Sequence, residues 1–123
     1  MKKSAIETVV VFPDIHFPLH DEKALKCALR VLETVKPSGF LCLGDLVEGE
    51  SVSFWKWKKK KRPPLEYQLP EIQKELEEVN AGFDRIDEAC DKAGVKKKLF
   101  AQGNHELWFD NFVEENPYLP EYL

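Results

Sequence analysis

Three short stretches of this 123-residue chain place metal-binding or proton-handling side chains directly after an apolar run. Asp14 and His16 follow "VVVF", Gly44 and Asp45 follow "GFLCL", and Gly103, Asn104 and His105 follow "KKLFAQ". An isolated Asp-x-His is more readily a turn, with the Asp side chain bonding its own backbone, than a metal site. Carboxylate oxygen, imidazole nitrogen and amide oxygen together, however, suit borderline-to-hard divalent cations such as Mn²⁺, Fe²⁺ or Zn²⁺. The glycines beside Asp45 and Asn104 let the backbone turn sharply and approach closely.

The elements between these stretches decide whether the three sets meet. Val9 to Phe12 reads as a short buried strand, rich in β-branched residues and stopped by Pro13. Leu25, Ala28, Leu29, Leu32 and Val35 recur at helical spacing, with Asp21 as N-cap and Pro37 as the stop. Gly39 to Leu43 is a second strand, so the first third of the chain reads as a parallel βαβ unit with a right-handed crossover. A long loop is expected from Leu46 to Leu69. Pro70 suits a first helical position, and a stripe of Ile72, Leu76, Val79, Phe83, Ile86, Cys90 and Ala93 runs to Gly94. Gly82 weakens that helix by roughly 1 kcal/mol relative to Ala. Val95 to Gln102 is a third strand, and "LWFDNFVEEN" a last short helix. The fold class is therefore α/β, a predominantly parallel sheet with helices packed on it. In such a sheet the carboxyl ends of the strands share one edge, where ligands bind, so the three polar sets are expected to converge.

Asp14-Ile15-His16, Gly44-Asp45-Leu46-Val47-Glu48 and Gly103-Asn104-His105-Glu106 resemble the first three signature blocks of the calcineurin-like metallophosphoesterases, in order and at strand ends. The resemblance spans Val9 to about Asp110. The long helix, the lysine-bearing strand and GNHE look like phage-type members of the family. It implies the N-terminal half of a four-layer α/β sandwich and a two-metal, in-line displacement at phosphorus, on a phosphomonoester or phosphodiester. Asp14 and His16 would hold the first ion, Asp45 would bridge both, and Asn104 would hold the second. His105 would be catalytic beside the phosphate, as general acid or transition-state stabiliser. Glu48 and Glu106 would orient the ligands or hydrogen-bond His105. Mn is the first choice of ion, with Fe, Zn, Ni or Mg as alternatives.

The chain departs from the family in one respect. Members carry three further metal-binding histidines after GNHE, whereas the histidines here are His16, His20 and His105. The first ion keeps Asp14, His16 and Asp45, and the second only Asp45 and Asn104. Residues 1–123 thus read as a single, incomplete metallophosphoesterase-like domain: a piece of a longer enzyme, a compact variant completed by a partner subunit, or a member that no longer catalyses. Missing sheet partners would leave an exposed edge or apolar face, so a homo-oligomer or a missing C-terminal half is an expected partner.

Composition adds a substrate class. The net charge is -4, but six basic residues and no acids lie between Ser51 and Arg62. In this basic aromatic loop, residues 51–69, Trp55 and Trp57 could stack on bases while Lys58, Lys59, Lys60, Lys61 and Arg62 contact phosphates. A solvated basic loop is the plain alternative. Nucleotides or nucleic acid are the favoured substrate, and a non-catalytic module that binds metal and nucleic acid is the competing function. Cys27, Cys42 and Cys90 lack paired spacing and fit free thiols in a reducing compartment. The N-terminus carries no signal-peptide pattern and no stretch is long enough to span a bilayer. A cytoplasmic protein without membrane partners is expected.

Overall fold

The computed structural model describes residues 6–53 and 64–118. Three strands, β1 (Val9–Phe12), β2 (Gly39–Cys42) and β3 (Lys97–Phe100), lie side by side in that order and all run parallel. Helix α1 (Glu22–Val35) links β1 to β2, and α2 (Leu65–Ala93) links β2 to β3. Both pack on the same face of the sheet and against each other. A short 3₁₀ turn (Glu50–Val52) precedes α2, and α3 (Asn104–Glu115) follows β3. No helix among the described residues is long and apolar enough to cross a membrane.

The strand register explains which side chains are buried. Val10 aligns with Phe40 and Lys98, and Phe12 with Cys42 and Phe100. This face carries the core: Phe12, Phe40 and Cys42 pack on Leu25 and Leu32 of α1 and on Val79, Ile86 and Cys90 of α2. The opposite register set is Val9–Gly39–Lys97 and Val11–Leu41–Leu99. No described element covers it, and Val9, Val11 and Leu99 are 52%, 44% and 61% exposed. A second, smaller core gathers Val52, Ile72 and Phe112 with Leu65, Leu69, Leu76 and Trp108.

Two helices begin earlier than the sequence suggests. α2 starts at Leu65, so Pro70 lies inside it and not at its first turn. Proline there removes one intrahelical hydrogen bond, but Leu65, Leu69, Ile72 and Leu76 share one face in the second core, Ile72 fully and the leucines partly buried, and that packing offsets the loss. α3 starts at Asn104, so GNHE opens the helix and does not precede it. α1 matches its local signals: Asp21 accepts the Ala24 N–H at 3.0 Å, and Lys36 ends the helix in left-handed conformation before Pro37.

Gly82 is a socket more than a weak point. Phe17, 1% exposed, lays its ring over this glycine, and a Cβ there would sit 2.5 Å from a ring carbon. Phe17 directly follows His16, so the absence of one side chain in the middle of α2 fixes the Asp14–His16 segment from beneath. Gly82→Ala should therefore destabilise the protein by about 1–2 kcal/mol, overpacking outweighing the gain in helix propensity. Urea unfolding of Gly82→Ala alone and with Phe17→Leu checks this. The double variant should recover part of the loss.

Candidate metal centre

The connections that leave the three strands are tied to one another by hydrogen bonds. His16 N–H donates to Asp45 O at 3.0 Å, Phe17 N–H to Leu46 O at 2.7 Å, and Glu48 N–H to Phe17 O at 2.8 Å. The first two blocks thus continue the parallel pairing of β1 and β2 past the strand ends, with Phe17 and Val47 forming an isolated bridge. The third block joins through Asp45. Its Oδ1 accepts the His105 N–H at 2.9 Å, the place that an N-cap side chain would fill in α3, where the preceding residue is Gly103. Glu106 closes the junction, its Oε1 accepting from Gly103 N–H at 3.2 Å and from Leu46 N–H at 3.4 Å.

Two glycines make this contact feasible. A Cβ on Gly44, which also has φ +104°, would meet Gly103 N at 2.7 Å. A Cβ on Gly103 would meet Asp45 N at 2.5 Å and would overlap its carboxylate. The second and third blocks therefore touch backbone to backbone.

The backbone of the blocks is strained. Among the described residues four non-glycine residues have positive φ, and three of them are Asp14 (46°), His16 (57°) and Asp45 (50°). Such conformations cost of order 1–3 kcal/mol each and gather where a site over-determines them. One ligand atom from each of these three residues falls within 4.8 Å of the other two. Asp14 is exposed, His16 and Asp45 are half-buried, and the donor set of two carboxylates and an imidazole suits a divalent cation with open positions for water. The residues present thus fit the ion that their chemistry implies.

A second trio adjoins the first. A nitrogen of His16, a carboxylate oxygen of Glu48 and a nitrogen of His105 also lie within 4.8 Å of one another. The His16 and His105 rings meet edge to face with centroids 4.6 Å apart, and Trp108 lies over His105 at 4.0 Å. His105 Nδ1 contacts the Glu48 carbonyl oxygen. Asn104, the first residue of α3, is exposed. His20 lies outside both trios: its Nε2 is 2.7 Å from Glu22 Oε2 and its ring packs on Phe17. Arg85 of α2 grips the same Glu22, at 2.7 Å, and together Arg85 and His20 hold that carboxyl down to about 2. Cys42, at the end of β2, is a buried thiol whose pKa burial raises, which removes it as a nucleophile. Trp55, Trp57, Lys58, Lys59, Lys60, Lys61 and Arg62 lie outside the described residues.

Comparison of the chain with family profiles, with curated proteins and with solved structures yields no match. The geometry therefore carries the functional argument.

One residue that supports the centre is not evident in the motifs. Glu75 of α2 is 7% exposed, and its carboxylate accepts from Gly49 N–H (2.8 Å), Glu50 N–H (3.2 Å), Ser51 N–H (3.1 Å) and Ser51 Oγ (2.5 Å). It thereby anchors the segment that carries Glu48. Its sequence signal is position: with Ile72 and Val79 it falls at steps of three and four, an acid on an otherwise apolar stripe.

Two outcomes are expected. Glu75→Ala should lower stability by about 3 kcal/mol in urea unfolding, since it strands several buried donors. Asp14→Gly should leave metal-free stability unchanged or raise it by up to about 1 kcal/mol, because glycine relieves the positive φ, while calorimetric Mn²⁺ binding is lost.

Proposed function

We propose that this protein is a metal-dependent phosphoesterase akin to the calcineurin-like metallophosphoesterases, cleaving a phosphomonoester or phosphodiester. The observation that carries the reading is the convergence of Asp14, His16 and Asp45 within 4.8 Å, each held in a left-handed backbone conformation. Strain concentrated on three potential ligands, and on only one other non-glycine residue among those described, argues for a site and against a chance cluster.

In this reading Asp14 and Asp45 offer carboxylate oxygens, and His16 offers a ring nitrogen. Together they would hold a divalent cation, which would supply positive charge toward phosphoryl oxygens and lower the pKa of a water, with Mn the first choice and Fe, Zn, Ni or Mg the alternatives. Asp45 is braced for this by the His105 N–H at one carboxylate oxygen, and the positive end of α3 lies beside it. His105, under the Trp108 ring, is the remaining imidazole at the centre. The cationic run from Lys56 to Arg62 follows this segment in sequence and favours nucleotides or nucleic acid as substrate.

A second reading draws on the uncovered sheet face. Val9, Val11 and Leu99 present apolar area of the kind that another layer covers, which supports a half-domain completed by a second copy or by a C-terminal half. In that case the isolated chain would bind metal and nucleic acid without turnover.

Hydrolysis of p-nitrophenyl phosphate and bis-p-nitrophenyl phosphate with added Mn²⁺ separates the readings. Turnover should appear with at least one ester, fall more than a hundredfold in Asp45→Asn, and disappear on chelation. A folded wild-type chain that turns over neither ester would leave the binding module.

A further inference from the structure

The geometry points to the groove between β1 and α1 as the seat of an apolar group on the substrate, an alkyl chain or aryl ring carried by the phosphoester. The inference rests on the phosphoesterase reading for its chemistry. It names an apolar ester where the cationic run favours a nucleotide.

The groove follows from the topology. β1 is an edge strand, and α1 packs on its core-facing side. Val10 and Phe12 line the strand wall, and Leu25, Ala28 and Val31 line the helix wall. Ala24 and Ala28 are small, and space remains beside them. The volume is about 490 Å³, within the range of sites that hold small molecules. Of the residues on the uncovered sheet face, only Val11 also lines it.

Two observations assign the occupant. The first is continuity with the centre. Asp14 lines the groove and is also one of the three converging ligands. Ile15, the next residue, lines it too. A phosphoryl group held at the centre can therefore extend its ester substituent into the groove. The second is the division of polarity. The polar lining residues are Asp14, His20 and Asp21, all on the connection from β1 to α1 at the carboxyl end of the strand; the rest of the lining is apolar. Asp21 is engaged in capping α1 through the Ala24 N–H, and His20 is held by Glu22, so neither calls for a polar ligand. Among the described residues no lysine or arginine lines the groove. A nucleic-acid strand there would lay phosphates beside Asp21 and along an apolar wall, with no cation to offset their charge. An apolar substituent instead gains by leaving water.

Phosphate release from n-alkyl phosphates, ethyl to octyl, with added Mn²⁺ tests the groove. kcat/KM should rise about two- to fourfold per added methylene until the groove is filled. Ala28→Phe narrows the groove and should lower the octyl-to-ethyl ratio of kcat/KM by about tenfold or more. A measurement on unaltered protein guards against misfolding of the variant. n-Octylphosphonate, whose carbon–phosphorus bond resists hydrolysis, is added in the presence of Zn²⁺ to the chain labelled at alanine and valine methyls. The Ala28 and Val31 methyl resonances should shift and those of Val9 should not. A flat ester series, or shifts confined to the uncovered sheet face, would overturn the groove and leave the phosphoesterase reading intact. So would an oligodeoxynucleotide that shifts the same Ala28 and Val31 methyls, or a shift of these methyls with protein concentration alone, since the occupant would then be nucleic acid or a second copy. Shifts at Ala28 and Val31 on adding octylphosphonate, with no ester hydrolysed, would support the groove and overturn the phosphoesterase reading.

Discussion

Asp45 is the residue on which the arrangement of the centre depends. Its carbonyl oxygen accepts from His16 and its carboxylate accepts from His105, so one residue at the end of β2 holds the segments that follow β1 and β3. The contact requires a close approach of backbones, and Gly44 and Gly103 permit it. Asp45 itself holds a positive φ, a cost that the surrounding hydrogen bonds must offset. Elements farther out serve this junction. Gly82 receives Phe17 and so steadies the first block; Glu75 steadies the segment after the second; Glu106 bridges the second and third.

The helices and the sheet divide the labour unevenly. α1 and α2 cover one face of the sheet and supply most of the burial there, whereas the other face keeps Val9, Val11 and Leu99 in solvent. The strand ends therefore stand on a platform that is rigid on one side. The second core, around Ile72 and Phe112, supports the 3₁₀ turn and α3 from below. Rigidity at the centre thus comes from two apolar clusters joined through α2 and through Phe109, which packs against both.

What the sequence discloses depends on the range of the interaction. The strands and α1 follow from apolar spacing and from caps adjacent in the chain, and so did the expectation that three polar sets would share one edge. The start of α3 did not, because its cap is Asp45, 60 residues away. The start of α2 was hidden by Pro70, a local rule that burial of Leu65 and Leu69 overrides. Gly82 reads as a defect until Phe17 is seen on it, and Glu75 as an ordinary helix acid until its four donors are in view. The motifs disclose which residues carry chemistry; the groups that hold them are recorded only in non-local contacts.

That same range has a kinetic consequence. The bonds that close the centre, His105 to Asp45 and Leu46 to Glu106, each join residues 60 apart in the chain. Loop closure over such distances comes after local structure has formed, and parallel pairing across long connections is slow. The centre is thus a late product of folding, completed when β3 docks and α3 begins. Contacts absent from the transition state act mainly on the unfolding rate. An ion seated at the centre would therefore act as a latch: it would not hasten the chain's arrival at the native state, but it would delay its departure.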